Sequence, residues 1–448
     1  MDIRGLARAM AVLFAGVLAA AFLPATAGSA AVAPPGLAPS TRLALPITAV
    51  SFTWLSGVFC TSGSNCWAVG TRQASAKAPS LNQVLRWNGA TWRPVPVPQP
   101  GGQRHDDFAD LATVRCLTAR DCWAVGEYLK NGAYLDEALR WNGAKWSQVA
   151  TPAPGGTLGG DASELNDVVC TAAANCWAVG DYGPQSGITA ANQALHWNGK
   201  KWSVSPMPNP AGTNTGDTNI AGSVRCTSPT ACLVVGYETP ASSPGTTLNE
   251  SLRWNGKKWL ALKILDPISG TDDAVNDLAG LACSSSVSCW AVGSEGTSGT
   301  VTTLLNQILH WNGTKWLEVQ PPDPDGTSTG DNNVLLWDTC VSGRDCWAVG
   351  TYGPDSGATT NLKNEALRWN GATWSRVKTP NPGNTANQGI SALLGIRCTS
   401  GANCWAVGFQ DDCGSLADQI LHWNGKKWTD AGRAIDAIRP ACPERSAG

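Results

Sequence analysis

The sequence predicts an all-β chain folded as a seven-bladed β-propeller, with four antiparallel strands and one hairpin disulfide in every blade. Three observations predict it. The string Cys-x5-Cys-Trp-Ala-Val-Gly begins at Cys60, Cys116, Cys170, Cys283, Cys340 and Cys398, and the variant Cys226-x5-Cys232-Leu-Val-Val-Gly fills the remaining slot, so the unit recurs every 54 to 58 residues. Each start is followed by Leu-(Arg/His)-Trp-Asn-Gly-x-x-Trp, at Trp87/Trp92, Trp141/Trp146, Trp197/Trp202, Trp254/Trp259, Trp311/Trp316, Trp369/Trp374 and Trp423/Trp428. Among 448 residues, 22 Trp stand beside 6 Phe, 5 Tyr, 4 His and 3 Met, while only 15% are charged. That balance disfavours a helical bundle, a disordered chain and a His-rich metalloenzyme. A net charge of −2 calls for neither nucleic acid nor an anionic membrane as partner.

The chain opens on a secretory signal. Arg4 and Arg8 form a basic start, Ala9 to Leu23 is an uncharged, mostly apolar stretch, and Ala25-Thr26-Ala27 offers a small-x-small cleavage site. The division is therefore a signal peptide at 1–27, a Pro/Ala-rich segment at 28–50, the seven repeats at 51–433 and a tail at 434–448. The apolar run is shorter than a bilayer span needs, so the expectation is a secreted, extracellular monomer with no membrane insertion. Within a repeat, the apolar stretch before the first Cys reads as strand one and Cys-Trp-Ala-Val-Gly as strand two. Strand three ends in Leu-(Arg/His)-Trp, Asn-Gly supplies the two φ > 0 residues of a type I′ hairpin, and the second Trp begins strand four. One such sheet cannot bury both faces, so the units must stack, and a closed ring does this without long exposed edges.

Gly at the end of strand two, with aromatic positions on strands three and four, resembles the kelch and galactose-oxidase type of propeller, although Val-Gly stands where kelch blades carry Gly-Gly. The Trp-Asn-Gly-x-x-Trp hairpin is similar to the hairpins of bacterial Trp-repeat propeller lectins. The resemblance runs from about residue 50 to 430 and implies a propeller whose ligand is a glycan.

Fourteen Cys form seven pairs that face each other across a hairpin: Cys60–Cys66, Cys116–Cys122, Cys170–Cys176, Cys226–Cys232, Cys283–Cys289, Cys340–Cys346 and Cys398–Cys404. Closing so short a loop contributes about 2.4 kcal/mol in the chain-entropy description. The two remaining, Cys413 and Cys442, are expected to pair and pin the tail. The Trp positions are filled in nearly every unit, which reads as an inter-blade packing layer whose indole N–H groups need carbonyl partners. Glu137/Arg140, Glu250/Arg253 and Glu365/Arg368 alternate with Gln193/His196, Gln307/His310 and Gln419/His422, a pattern of charge matching within or between blades.

Strand direction puts the disulfide hairpins and Asn-Gly turns at one end of the ring and the longer connections at the other. Long loops on a rigid scaffold are where binding residues gather. Nine residues before the first Cys stand Asp107, Asp161, Asp217 and Asp331, with Asp273 one place off. They read either as Asx turns at the start of each first strand or as a ring holding Ca²⁺. Trp337-Asp338 replaces a small residue and an aliphatic one, a mark of ligand contact or of a register slip. Tyr182-Gly-Pro and Tyr352-Gly-Pro read as aromatic loop tips. No nucleophile–base pair and no metal-ligand cluster stands outside the repeat. The function expected is thus a non-enzymatic binding protein, needing no cofactor, whose partner is a glycan or an extracellular protein. The alternatives are a glycan-active hydrolase or lyase using Asp331 and Asp338, and a Ca²⁺-stabilised surface scaffold.

Overall fold

The structure, a computed structural model, describes residues 51–75, 77–184, 189–298, 302–354, 361–383, 389–412 and 415–432. The signal and N-terminal segments, the tail and the expected Cys413–Cys442 pair lie outside the described residues. Strands are numbered β1 to β28 in chain order, four to a blade. The first strands are β1 (Phe52–Ser62), β5 (Ala109–Thr118), β9 (Asp161–Ala172), β13 (Thr218–Ser228), β17 (Ala274–Ser285), β21 (Asp331–Ser342) and β25 (Gly389–Ser400). Each first strand touches the first strands of both neighbouring blades, and β25 touches β1. That contact ring makes strand one the innermost and closes the propeller.

Blade 1 takes all four strands from residues between Phe52 and Pro94, and blade 7 takes its four from Gly389 to Asp430. Closure therefore exchanges no strand between the two ends of the described chain. It uses a parallel bridge, Phe52 with Leu416, of the kind that links Leu304 to Asn332 and Asn361 to Gly389 at other junctions. All seven hairpin disulfides form as the sequence predicts, which suits an oxidising, extracellular-type compartment. Among the described residues no helix is long and apolar enough to cross a membrane.

Two local rules shape every blade. Strand one carries a bulge midway, for example between Leu111 and Thr113, and the carbonyl just before that bulge presses on the Gly that ends Trp-Ala-Val-Gly. A Cβ on Gly126 would sit 2.0 Å from the Asp110 oxygen, and one on Gly350 would sit 1.9 Å from that of Val334. Only Gly fits there. The Asn-Gly turn differs from the type I′ expectation. Trp87 pairs with Trp92 across a four-residue loop, Gly89 has φ +97°, and Asn88 has no positive φ. The Asn88 side-chain oxygen instead accepts the amides of Ala90 and Thr91, both at 2.9 Å, so the side chain satisfies the donors that a tighter turn would have paired.

Blades meet through Trp. The strand-two Trp of one blade packs against the strand-three and strand-four Trp of the next: Trp67 on Trp141 and Trp146, Trp177 on Trp254 and Trp259, and, across the closure, Trp405 on Trp87 and Trp92. Five strand-three indoles find hairpin carbonyls, as Trp87 does at Gly63 and Trp423 at Gly401, both 3.1 Å away, whereas that of Trp141 is buried without a partner. Most strand-two and strand-four indole nitrogens are buried without a partner, contrary to expectation.

Beside the Trp layer runs a buried polar belt. Asn82 donates to Glu137 of the next blade at 2.6 Å, Asn306 to Glu365 at 2.6 Å, and Asn192 to Glu250. At two of the four junctions where the next blade carries Gln the acceptor is an Asp: Gln193 donates to Asp136, and Gln83 to Asp418 of blade 7 at 2.6 Å. At the other two, Gln307 and Gln419 face Asn249 and Asn364 with no hydrogen bond between them. The Glu of the alternating pattern therefore answers the preceding blade's Asn. The Arg answers its own hairpin, Arg140 binding Asp121 and Arg368 binding Asp345 at 2.9 and 3.1 Å. Changing Gln83 to Leu strips the buried Asp418 carboxyl of its donor at the closure. It is expected to cost about 1–3 kcal/mol, read as a lower melting temperature.

Candidate functional site

At the long-loop end the Asp carboxylates build turns. Asp161 accepts the Leu158 amide at 2.8 Å, Asp331 that of Ser328 at 2.7 Å, and Asp107 that of Arg104 at 2.5 Å. Asp217 accepts Asn214 at 2.7 Å and Ala241 at 2.8 Å, and these amides hold its carboxyl below the ordinary range. In each of these four loops a Gly at positive φ lies under the carboxylate: Gly102, Gly156, Gly212 and Gly326. Asp273 differs, serving through its backbone oxygen, which accepts the Ser298 amide at 2.9 Å. Among the described residues no group of three or more His, Cys, Asp or Glu side chains is placed to hold a metal ion.

The two Tyr-Gly-Pro motifs are strand ends rather than loop tips, closing β10 (Asn175–Pro184) and β22 (Asp345–Pro354). Tyr182 is half-buried. Tyr352 is buried, takes a hydrogen bond from Arg376 on its hydroxyl and carries that guanidinium over its ring at 4.6 Å. Arg376 thus covers a ring that the sequence suggested was displayed.

Trp337 and Asp338 lie on the innermost strand of blade 6, in the half of the channel nearer the disulfide hairpins. Blade 6 has the same strand-one bulge as its neighbours, so no register slip is involved. The bulge points the Trp337 ring into the channel, where guanidiniums from across the ring cover it: Arg115 of blade 2 at 5.2 Å and Arg225 of blade 4 at 5.6 Å. Arg115 also lies over Phe59 at 5.7 Å, and Arg397 over the same ring at 4.3 Å. Asp167 pairs with Arg225 at 2.5 Å and with Arg115 at 3.7 Å. Asp338 is buried beside them. Burial pushes its carboxyl up to about 8, only partly offset by Arg225, Arg115 and the Ala282 amide. Asp331 and Asp338 stand seven residues apart on one strand, about 20 Å at strand rise. Paired glycosidase carboxyls stand at about 5–9.5 Å, so these two do not form such a pair.

Sequence reasoning flagged Trp337 and Asp338 as departures but missed Arg115, Arg225 and Arg397. The signal was present: the residue just before the first Cys is Arg in three blades, against Phe59, Val169, Ala282 and Thr339 in the rest.

No protein-family profile and no curated protein matches the chain. Among solved structures it is similar to the GH74 xyloglucanase from Xanthomonas campestris, at 11% identity and TM-score 0.48, over 86% of this chain and 55% of that one. It therefore spans about half of that enzyme. It is also similar to the β-propeller domain of the Trilobed protease from Pyrococcus furiosus, described as having an open velcro topology (8% identity, TM-score 0.48, 87% of this chain and 100% of that one). The polysaccharide lyase Uly1 matches at 9% identity and TM-score 0.49, over 86% and 94%. None of these likenesses speaks to activity, and membership of the kelch type is not shown.

Burial dominates the electrostatics. It pushes Asp418 up to about 6, Glu238, Asp277 and Glu295 to about 7, and Asp338 to about 8. These acids bind protons more tightly folded than unfolded, so the stability they lend is full below about pH 4 and is lost as pH rises through the folded values. The melting temperature should fall from pH 5 to pH 8.5; a flat or rising profile by scanning fluorimetry would contradict this. Trp337→Ala removes a ring that carries two guanidiniums and should cost about 2–4 kcal/mol, whereas a ring kept only for ligand contact would leave the melting temperature unchanged.

Proposed function

We propose that this is an exported, non-catalytic binding propeller that engages a glycan or another extracellular protein at its long-loop end. One observation carries the reading. At the blade junctions the Trp, Gly, Cys and Asn/Asp positions repeat around the ring. By contrast, the strand-one and strand-two residues level with the belt, nearer the long loops, change from blade to blade. That row reads Trp54–Thr71 in blade 1, Asp110–Glu127 in blade 2, Glu164–Asp181 in blade 3, Ile220–Tyr237 in blade 4 and Ala392–Phe409 in blade 7. Packing has no need of such variety, and a ring of identical scaffolds acquires a specific ligand through residues that differ.

The row is also lopsided. Blades 5, 6, 7 and 1 contribute a shared apolar cluster including Phe52, Trp54, Val334, Leu362, Ile390 and Phe409. Blades 2 and 3 supply two carboxylates each, of which Asp110, Glu164 and Asp181 are half-buried, and blade 5 adds the buried Asp277 in the same row. Carboxylates beside an apolar arc suit a hydroxyl-bearing ligand with one apolar face.

The test is a glycan-array screen of the mature protein with and without Ca²⁺, repeated with Asp110→Asn and Glu164→Gln. Sugar-specific binding that weakens at least about tenfold in these variants, with unchanged melting temperature, is expected. A Ca²⁺ requirement would bring Asp107, Asp161, Asp217, Asp273 and Asp331 into the site. A blank array under both conditions removes the glycan, and pull-down from growth medium then decides on a protein partner.

A further inference from the structure

The hairpin-end half of the channel holds three guanidiniums and too little to balance them. Arg115, Arg225 and Arg397 come from blades 2, 4 and 7, at the same repeat position, and hang on two rings. Phe59 lies under Arg115 and Arg397, and Trp337 under Arg115 and Arg225. Among the described residues Asp167 is the one carboxylate in ion-pair contact, and it is already shared: its oxygens also accept the Val168 amide at 2.9 Å, the Ser223 hydroxyl at 2.9 Å and the Val224 amide at 3.1 Å. Among the described residues no carboxylate pairs with Arg397. Asp338 is buried nearby but, among the described residues, makes neither an ion pair nor a hydrogen bond with any of the three through its carboxyl oxygens.

Donors are left over as well. The Arg115 side chain is 9% exposed, and its buried Nη2 stands 3.7 Å from Asp167, too far for a hydrogen bond; the buried Nε of Arg397 has no hydrogen-bond partner. Burial, then repulsion from Arg225, lowers Arg115 to about 9 and Arg397 to about 10. Buried cations with unfilled donors are costly unless something anionic meets them. Guanidinium forks match the oxygens of carboxylate, sulfate or phosphate, and rings that stack their planes hold the forks in place.

We propose that this part of the channel is an oxyanion site, in which a carboxylate, sulfate or phosphate group is bound between Arg115, Arg225 and Arg397. It lies on the opposite half of the channel from the variable row and does not depend on the reading of that row.

The experiment titrates the mature protein with sodium sulfate, inorganic phosphate and sodium acetate, each against sodium chloride of equal ionic strength. Binding is followed by calorimetry and by melting temperature. The expected result is saturable, single-site binding of at least one oxyanion, with a melting temperature that rises and then levels off. The anion preferred tells whether the bound group is planar or tetrahedral. Arg397→Gln should bind at least about tenfold more weakly and, in chloride alone, melt higher than the parent, because a buried unpaired charge has gone. The exposed Arg93→Gln should change neither reading. If Arg397→Gln does not fold, Arg397→Lys keeps the charge, loses the fork, and should show the same weakening. A linear, unsaturating rise shared by all variants is general salting-out and would overturn the proposal, as would equal affinity in either Arg397 variant.

Discussion

Everything in the ring depends on what two neighbouring blades bury between them. A sheet with an apolar face sticks to any other, so Trp packing supplies cohesion without saying at what height one blade should sit against the next. The polar belt supplies the height. A carboxyl buried as deeply as Glu137 or Asp418 must meet a donor, and the donor is an amide at one point on the facing blade. Slipping one blade along its neighbour would leave a buried acid with no partner. At five junctions the pairs are complementary in kind too, Asn facing Glu or Asp facing Gln; at the other two, between blades 4 and 5 and between blades 6 and 7, Asn faces Gln. Two acids never face each other at this level in the ring.

That constraint explains why the rest repeats so closely. Once the height is set, the strand-two Trp lands between the two Trp of the next blade, and its own Arg or His covers its outer side. Blade 4 shows the dependence by losing the group together: Leu233 replaces the Trp, Ala231 replaces the hairpin Asn or Asp, and Arg253 is exposed. Freed from these junctions, the innermost strands vary, and it is there that charge and aromatic rings accumulate in the channel.

Much of this was legible in the sequence because repetition is itself a structural statement. Seven Cys-x5-Cys hairpins, the four-strand unit and the Trp packing layer followed from spacing and alternation. The innermost strand did not, because sorting loops to two ends is the same whichever edge faces the axis. The turn was misread because Asn-Gly advertises two left-handed residues, whereas the Asn88 side chain closes the loop from an ordinary backbone. The pairing of Glu with Arg was misassigned, since the two alternate in register yet point to opposite partners. Trp337 stood out as an anomaly, but its partners Arg115 and Arg225 are more than a hundred residues away, and only ring closure brings them together.

A ring made from a line should be least secure where its ends meet, and this one is arranged otherwise. The seam between blades 7 and 1 has the full complement: Trp405 between Trp87 and Trp92, and Gln83 on Asp418. The junction poorest in side-chain cohesion is between blades 4 and 5. There Leu233 faces Trp311 and Trp316, and no hydrogen bond joins the facing amides of Asn249 and Gln307. At that junction the polypeptide itself crosses from one blade to the other. Covalent continuity stands where cohesion is thinnest, and cohesion is complete where the chain is cut, so a sevenfold ring with one break in its backbone has no correspondingly weak seam.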